Sequence, residues 1–214
     1  RLATAEQDRI NASGGILRRP LQLQILDDAG LPQRTIANVK KALADPQTVA
    51  MIGLSNSARA KAAFDALDAD ITASGIPFLS DIAVNSIFEK YSNVFTTRAS
   101  QDDERMPVLA QFIKARNIQR PAFVGLKDAL FSSSLGHGLA SRSDGPRLVA
   151  DHRLSLSNDK LDPAEIAAVV ADLKRRNTDM VFLAIGAART APLLAEFASA
   201  GDRKSTRLNS SHNV

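Results

Sequence analysis

The sequence predicts an α/β fold in which parallel sheets are covered by helices, and three observations carry that reading. Strand signals alternate with helix signals along residues 1–200, the order that βαβ units produce. Several strand candidates are continuous apolar runs, Val49-Ala50-Met51-Ile52 and Val181-Phe182-Leu183-Ala184-Ile185 among them, as expected of strands buried on both faces. Residues 9–28 place a helix end, a stop signal and a strand in direct succession.

In that stretch Leu2, Ala5, Ile10 and Ala12 form a helix pattern that runs into Gly14-Gly15, where glycine takes the left-handed backbone that ends a helix. Pro20 has no amide to donate and suits a strand's first position. Leu21, Leu23, Ile25 and Leu26 supply apolar residues and Asp27-Asp28 closes the segment, so a strand is predicted over 21–26. Further strands are predicted over 49–54, 77–80, 94–97, 122–126, 147–156 and 180–185. Helices are predicted over 32–44, 58–73, 102–116, 163–176 and 188–200. Pro32 stands in the first turn of its helix, where a missing amide costs nothing, and Ile36, Val39 and Leu43 mark one face. Asp162 reads as an N-cap before Pro163, Ile166, Val169, Val170 and Leu173 repeat at helical spacing, and Lys174-Arg175-Arg176 ends that helix favourably against its dipole. Residues 132–147, SSSLGHGLASRSDGPR, are rich in Gly and Ser and read as an irregular or shortened helix. A domain seam is placed at 117–121.

Lys and Arg total 27 against 23 Asp and Glu, and the positive residues are scattered instead of forming a stripe with aromatics between them. No nucleic-acid partner is therefore expected. The chain has no cysteine, which removes disulfides, thiolate metal sites and thiol nucleophiles without fixing the compartment. No apolar run reaches transmembrane length, so no direct membrane insertion is expected, and no basic n-region followed by an apolar h-region opens the chain. Because Arg1-Leu2-Ala3 lies inside a helix pattern, a preceding strand and any signal peptide are expected upstream of it.

Ile10-Asn11-Ala12-Ser13-Gly14-Gly15-Ile16, then Arg19-Pro20-Leu21, then Asp27-Asp28 follow a specific order and spacing. They resemble the opening of the type I periplasmic binding proteins, the substrate-binding subunits of branched-chain amino acid (Leu/Ile/Val) ABC transporters. The resemblance continues through TVAMIGLSNS at 48–57, GIPFLS at 75–80 and NVFTTRASQDD at 93–103, and covers most of residues 1–200. It implies a periplasmic-binding-protein-like type I fold of two Rossmann-like lobes with parallel sheets, truncated at both ends. Residues 1–118 would form an N-terminal lobe without its first strand, and 119–201 a partial C-terminal lobe. Residues 202–212, DRKSTRLNSSH, are word for word the standard-code translation of a common short-read sequencing adapter. Residues 202–214 are accordingly expected to be a non-native, disordered tail, since they have almost no apolar side chain to bury.

The resemblance implies a periplasmic protein, exported by a signal peptide in its parent, that captures a small polar solute between two lobes. An amino acid or a related carboxylate or amide would pass by hinge closure to an ABC permease in the membrane. No cofactor and no metal are expected. The same fold serves as the ligand-sensing domain of transcriptional regulators and receptors, and that alternative stays open on the sequence.

In open α/β sheets ligands bind beyond the carboxyl ends of strands, where helix N-termini present unpaired amides. By position in the family, Ser57 with Asn56 as neighbour matches a serine loop that holds a ligand carboxylate, and Ser80, Ile82, Ala83 and Val84 occupy the next loop. Val84 stands where amino-acid binders commonly have threonine, which puts an α-amino acid ligand in question. Ser57 reads as a ligand contact or as an N-cap, while Ser55 and Ser80 read first as caps. Lys127 and Asp128 follow the first strand of the second lobe, with Phe131 the nearest aromatic, and serve either the cleft or a solvated loop. Enzymatic readings lack support. Asp27-Asp28 and Asp102-Asp103 are adjacent pairs, His137 and His152 are isolated, and neither G-x-G-x-x-G after a strand nor G-x-x-x-x-G-K-[ST] occurs.

Overall fold

The alternation of strand and helix builds two three-stranded parallel sheets. The structure, a computed structural model, describes residues 2–99, 104–143 and 147–200. In chain order the elements are α1 (Leu2–Ala12), α2 (Pro32–Ala44), β1 (Met51–Gly53), α3 (Ser57–Ala66), α4 (Asp68–Ser74), β2 (Phe78–Ser80), a 3-10 turn (Asn85–Ile87), β3 (Val94–Thr96) and α5 (Met106–Ala115). They continue as β4 (Pro121–Leu126), α6 (Leu130–Ala140), β5 (Ala150–Leu154), β6 (Leu156–Ser157), β7 (Lys160–Leu161), α7 (Pro163–Arg175), β8 (Met180–Ala184) and α8 (Ala187–Ser199).

The first sheet runs β1-β2-β3, with Gly53 opposite Ser80 and Ser80 opposite Thr96. One of its faces is packed. Phe78 and Val94 point into a cluster with Val39 of α2, Ala60 and Phe64 of α3, and Ile71 of α4. Phe64 meets the Phe78 ring at 5.9 Å and the Tyr91 ring at 5.1 Å, within the range of favourable tilted aromatic pairs. The Tyr91 hydroxyl satisfies itself at the cluster's edge by donating to Asp68 Oδ1 at 2.6 Å.

The second sheet runs β5-β4-β8 and is covered on both faces. Val124, Leu154 and Val181 pack with Ile166, Val170 and Leu173 of α7 and Leu193 and Phe197 of α8. Phe123 and Phe182 pack on the other side with Leu135 and Leu139 of α6 and Met106 and Ile113 of α5. All six residues of β4 are therefore buried, as a central parallel strand requires. The short hairpin of β6 and β7 is antiparallel.

Helices 32–44 and 163–176 form nearly as expected, the latter with Asp162 accepting from the Ala164 amide at 2.9 Å. Other expectations are corrected. Residues 21–26 form no strand, because β1 ends the first sheet and the segment has no strand backbone to pair with. The reading of Val49 to Ile52 as buried on both faces fails for the same reason. Ile52 is 81% exposed on the sheet's open face, and Val49, 76% exposed, lies before β1 begins. The helix predicted over 58–73 breaks at Leu67 (φ −123°, ψ 25°) into α3 and α4. The segment read as irregular contains the regular helix α6, and the strand read over 147–156 is β5 followed by the hairpin. Asp102, Asp103, Asp144 to Pro146 and residues 202–214 lie outside the described residues.

The turn after α1 does need its glycine. Gly15 has φ +76°, and a Cβ there would lie 2.1 Å from the Arg19 carbonyl oxygen across the Ile16–Arg19 bridge.

Candidate functional site

The carboxyl ends of both sheets bring the candidate residues into two groups. After β1 the chain turns through Leu54 (φ +58°) into α3, whose N-cap is Asn56, accepting from the Arg59 amide at 3.0 Å. A cap of this kind contributes about 1 kcal/mol to its helix. Since Asn56 fills the cap position, Ser57 is the first helical residue and sits buried at the strand-to-helix turn.

After β2 the geometry is tighter. Ser80, 1% exposed, shares the packed face with Phe78, and its Oγ has no hydrogen-bond partner among the described residues. Its carbonyl accepts from the Thr97 amide at 2.9 Å, and Thr96 Oγ1 donates to the Ile82 carbonyl at 2.5 Å, so β3 clamps the loop that follows β2. Ile82, Ala83 and Val84 are all buried, Ile82 and Val84 within the first cluster. Their side chains belong to the core, and only their backbone groups remain for a solute.

Asp81 and Arg98 join the two strand ends by a bidentate pair, with Arg98 Nε 2.8 Å from Oδ1 and Nη2 2.7 Å from Oδ2. Arg105, just before α5, lies with its guanidinium 5.7 Å from the Phe131 ring centroid. Burial first, and then the nearby Arg98 charge, lower its tendency to hold a proton. Neither arginine was singled out from the sequence. The signal for Arg98 was the alternation Val94, Thr96, Arg98 on one face of β3 and its continuation; Arg105 had none.

On the second sheet Lys127 is engaged. Its Nζ donates to Ser155 Oγ at 2.8 Å and lies 3.7 Å from Glu165, which accepts from the Ser155 amide at 3.0 Å. Asp128 is exposed. The two groups flank one junction, since Leu130 and Phe131 at the start of α6 pack against the first sheet's cluster and α6 touches α3.

Elsewhere the polar residues have structural partners. Asp28 accepts from the Gly30 amide and the Thr35 hydroxyl, at 2.8 and 2.9 Å, and lies 3.3 Å from Arg59. The Gly30 amide first, then Thr35 and Arg59, hold its carboxyl below the ordinary range. His152 meets Asp172 at 3.0 Å, and His137 is exposed on α6. Among the described residues no three His, Asp or Glu side chains converge as a metal site, and no helix is long and apolar enough to cross a membrane.

A family model described as periplasmic binding protein matches residues 3–212. No curated protein matches the chain. Among solved structures, the branched-chain amino acid transporter substrate binding protein LivJ of Streptococcus pneumoniae, in complex with isoleucine, superposes with a TM-score of 0.75 at 16% identity over 94% of this chain and 56% of its own. A periplasmic binding protein type 1 of Bordetella pertussis gives 0.70 at 22% identity over 92% and 53%. A solute binding protein of an ABC transporter from Rhodopseudomonas palustris, in complex with 3,4-dihydroxybenzoic acid, gives 0.65 at 16% identity over 93% and 55%. The chain thus spans little more than half the length of these structures, and at these identities the likeness establishes the fold.

Proposed function

The chain belongs to the periplasmic binding protein family, and from that premise we propose that it is the solute-capturing part of an ABC transporter's substrate-binding component. It takes a small polar solute between the carboxyl ends of its two sheets and, as part of the whole protein, delivers it outside the cytoplasm to a membrane permease. Hinge closure is the mechanism, and no bond is made or broken. The observation that supports this best is the junction itself. Buried Ser57 at the start of α3 and Ser80 Oγ at the end of β2, without a hydrogen-bond partner among the described residues, stand on one side, and the loop carrying Lys127 and Asp128 leads into α6 on the other. The isoleucine held by the S. pneumoniae structure and the 3,4-dihydroxybenzoic acid held by the R. palustris structure support a solute of that size.

Asn56, Ser57, Ser80, Lys127 and Asp128 are the proposed side-chain contacts, and Ile82, Ala83 and Val84 offer backbone. Residues 202–214 are proposed to be a non-native extension, on the strength of the adapter match; the matched range of the family model runs to residue 212. Calorimetric titration of the full-length gene product with a panel of amino acids and aromatic acids tests the reading. A solute is expected to bind, and Ser57→Ala to weaken it by roughly 0.5 to 3 kcal/mol, the span from a neutral to a charge-assisted hydrogen bond. Silence across the panel, or unchanged affinity in a folded Ser57→Ala protein, counts against the role assigned here.

A further inference from the structure

We infer that the edge where the strands of the second sheet begin is a docking surface for a membrane that carries anionic phospholipid. It lies at the opposite end of those strands from the solute loops, and it takes from the solute-capture reading only that the protein works beside a membrane.

Cations that are scattered in the sequence meet there. Pro121 of β4 stands opposite Met180 of β8, and Ala122 opposite Ala150 of β5, so the three parallel strands start at one edge. Lys114 and the C-cap Arg116 end α5 beside it, and Arg175 and the C-cap Arg176 end α7. Hydrogen bonds tie the group together: Arg120 Nε donates to the Arg176 carbonyl at 2.8 Å, and Arg176 Nη1 to the Val149 carbonyl at 2.7 Å. Lys114, Arg116, Arg120, Arg175 and Arg176 are all exposed. The carboxylates bonded among them are Asp179, which accepts from the Gln119 and Arg120 amides at 2.7 and 3.0 Å, and Asp172, which accepts from Arg175 and, at 2.7 Å, from Arg176 Nε. Five cations thus face two carboxylates, while Glu196 in the last turn of α8 is balanced by Lys174, which reaches the Ala200 carbonyl at that helix's end.

Helix dipoles favour cations at such ends but do not require an excess of them. The first sheet is parallel too, and the segments leading into its strands hold cations against carboxylates. Lys61 pairs with Asp65 and Lys90 with Asp68, at 2.5 and 2.8 Å, and Lys40 and Lys41 are outnumbered by Asp45, Asp70 and Glu89. The chemistry of the second edge also selects the partner. Ile118 and Met180, the large apolar residues between the cations, are buried. A folded protein partner needs an apolar or aromatic anchor at the centre of its contact, and this edge offers none. A layer of anionic headgroups needs none, since several Lys and Arg side chains within a screening length are attracted by charge alone. Duplex DNA presents similar phosphate charge and enters the test as the competing outcome.

Flotation of the full-length gene product with lipid vesicles tests the inference. The protein is expected to bind vesicles of equal parts phosphatidylcholine and phosphatidylglycerol, and to bind phosphatidylcholine alone at least tenfold more weakly. Raising salt from about 0.1 M to about 1 M should release it, because the screening length shrinks from roughly 10 Å to 3 Å. Lys114→Gln, Arg116→Gln and Arg175→Gln together should weaken binding at least tenfold, with the circular-dichroism melt and solute titration unchanged. The charge-keeping set Lys114→Arg, Arg116→Lys and Arg175→Lys should bind within twofold of the unmutated protein. The inference is overturned by no binding to the mixed vesicles, by equal binding to both vesicle types, by binding that survives the higher salt, or by tighter binding to a short DNA duplex than to vesicles. These four outcomes need only the unmutated protein, so they decide even where a variant unfolds. A folded triple Gln variant that loses less than twofold also overturns it. Solute binding without vesicle binding leaves solute capture standing and removes this surface, whereas vesicle binding without any solute does the reverse.

Discussion

Asn11 holds both backbone groups of Leu21: its Oδ1 accepts from the Leu21 amide at 2.6 Å, and its Nδ2 donates to the Leu21 carbonyl at 2.8 Å. Gln7 Oε1 accepts from the Leu23 amide at 2.7 Å in the same way. A side-chain amide carries the same donor and acceptor as a peptide unit. Two residues of α1 thus stand in for a neighbouring strand, and residues 21–26 run without a ladder.

Removing that substitute is expected to act locally. Asn11→Ala deletes two hydrogen bonds, each of about 0.5–1.5 kcal/mol net, yet α1 buries no side chain of its own. Hydrogen exchange at the Leu21 amide should accelerate while the thermal midpoint of the whole chain stays in place. Unchanged exchange at Leu21 would show that the amide is protected by something other than Asn11.

The elements legible in the sequence are those whose signals are local. Pro32 and the Ile36, Val39, Leu43 spacing fixed α2, and Asp162-Pro163 fixed the start of α7, because caps and helical periodicity act within one turn. Residues 21–26 were misread because a strand exists only with a partner, which composition does not report. The amphipathic pattern of α5 likewise says that one face is buried, not that Met106 and Ile113 cover the second sheet. At the site, strand ends could be located from the sequence, but the inward direction of Ile82 and Val84 and the meeting of Arg105 with Phe131 depend on packing between distant segments.

Helix α6 illustrates the same limit and yields a test. Its Gly and Ser content looks helix-breaking, but the small residues let it approach β4 and β5. A Cβ on Gly136 would lie 2.0 Å from Arg153 Nη2 and 2.8 Å from the Phe123 ring. Arg153 cannot simply swing away, since it stacks 4.6 Å over Phe123 and is tied to Asp151 at 2.6 Å and to the Ser132 carbonyl at 3.1 Å. Gly136→Ala is expected to destabilise the chain by about 1–3 kcal/mol, the usual cost of overpacking, despite alanine's better helix propensity. Urea unfolding measures it, and a neutral or stabilising result would mean that α6 is free to shift.

Asp28 links acid sensitivity to one network. Its folded-state carboxyl titrates below the ordinary value because the Gly30 amide, the Thr35 hydroxyl and Arg59 favour the ionised form. The stabilisation is therefore complete above the unfolded value near 3.9 and is lost as pH falls through the lowered folded value. Below roughly pH 4 the unmodified chain should lose stability faster than Asp28→Asn, which has no charge to lose there. Denaturant midpoints across that range are the measurement. Parallel pH profiles for the two proteins would remove Asp28 from the account of acid unfolding.

The open face of the first sheet carries the final expectation. Ile52, Leu79 and Phe95 stand directly opposite one another across β1, β2 and β3, on the face away from Phe78, with Leu79 38% and Phe95 53% exposed. None belongs to a core cluster among the described residues. A continuous apolar row across a whole sheet is a surface that associates, at about 25 cal/mol for each Å² removed from water. The 214-residue chain should therefore self-associate with rising concentration. Phe95→Ser combined with Leu79→Ser should suppress that association and leave the melting transition little changed, because both side chains lie outside the packed clusters. Sedimentation velocity over a concentration series decides between the outcomes. A chain that stays monomeric and binds no apolar dye has this row covered, and a double variant that unfolds shows instead that the row contributes to the core.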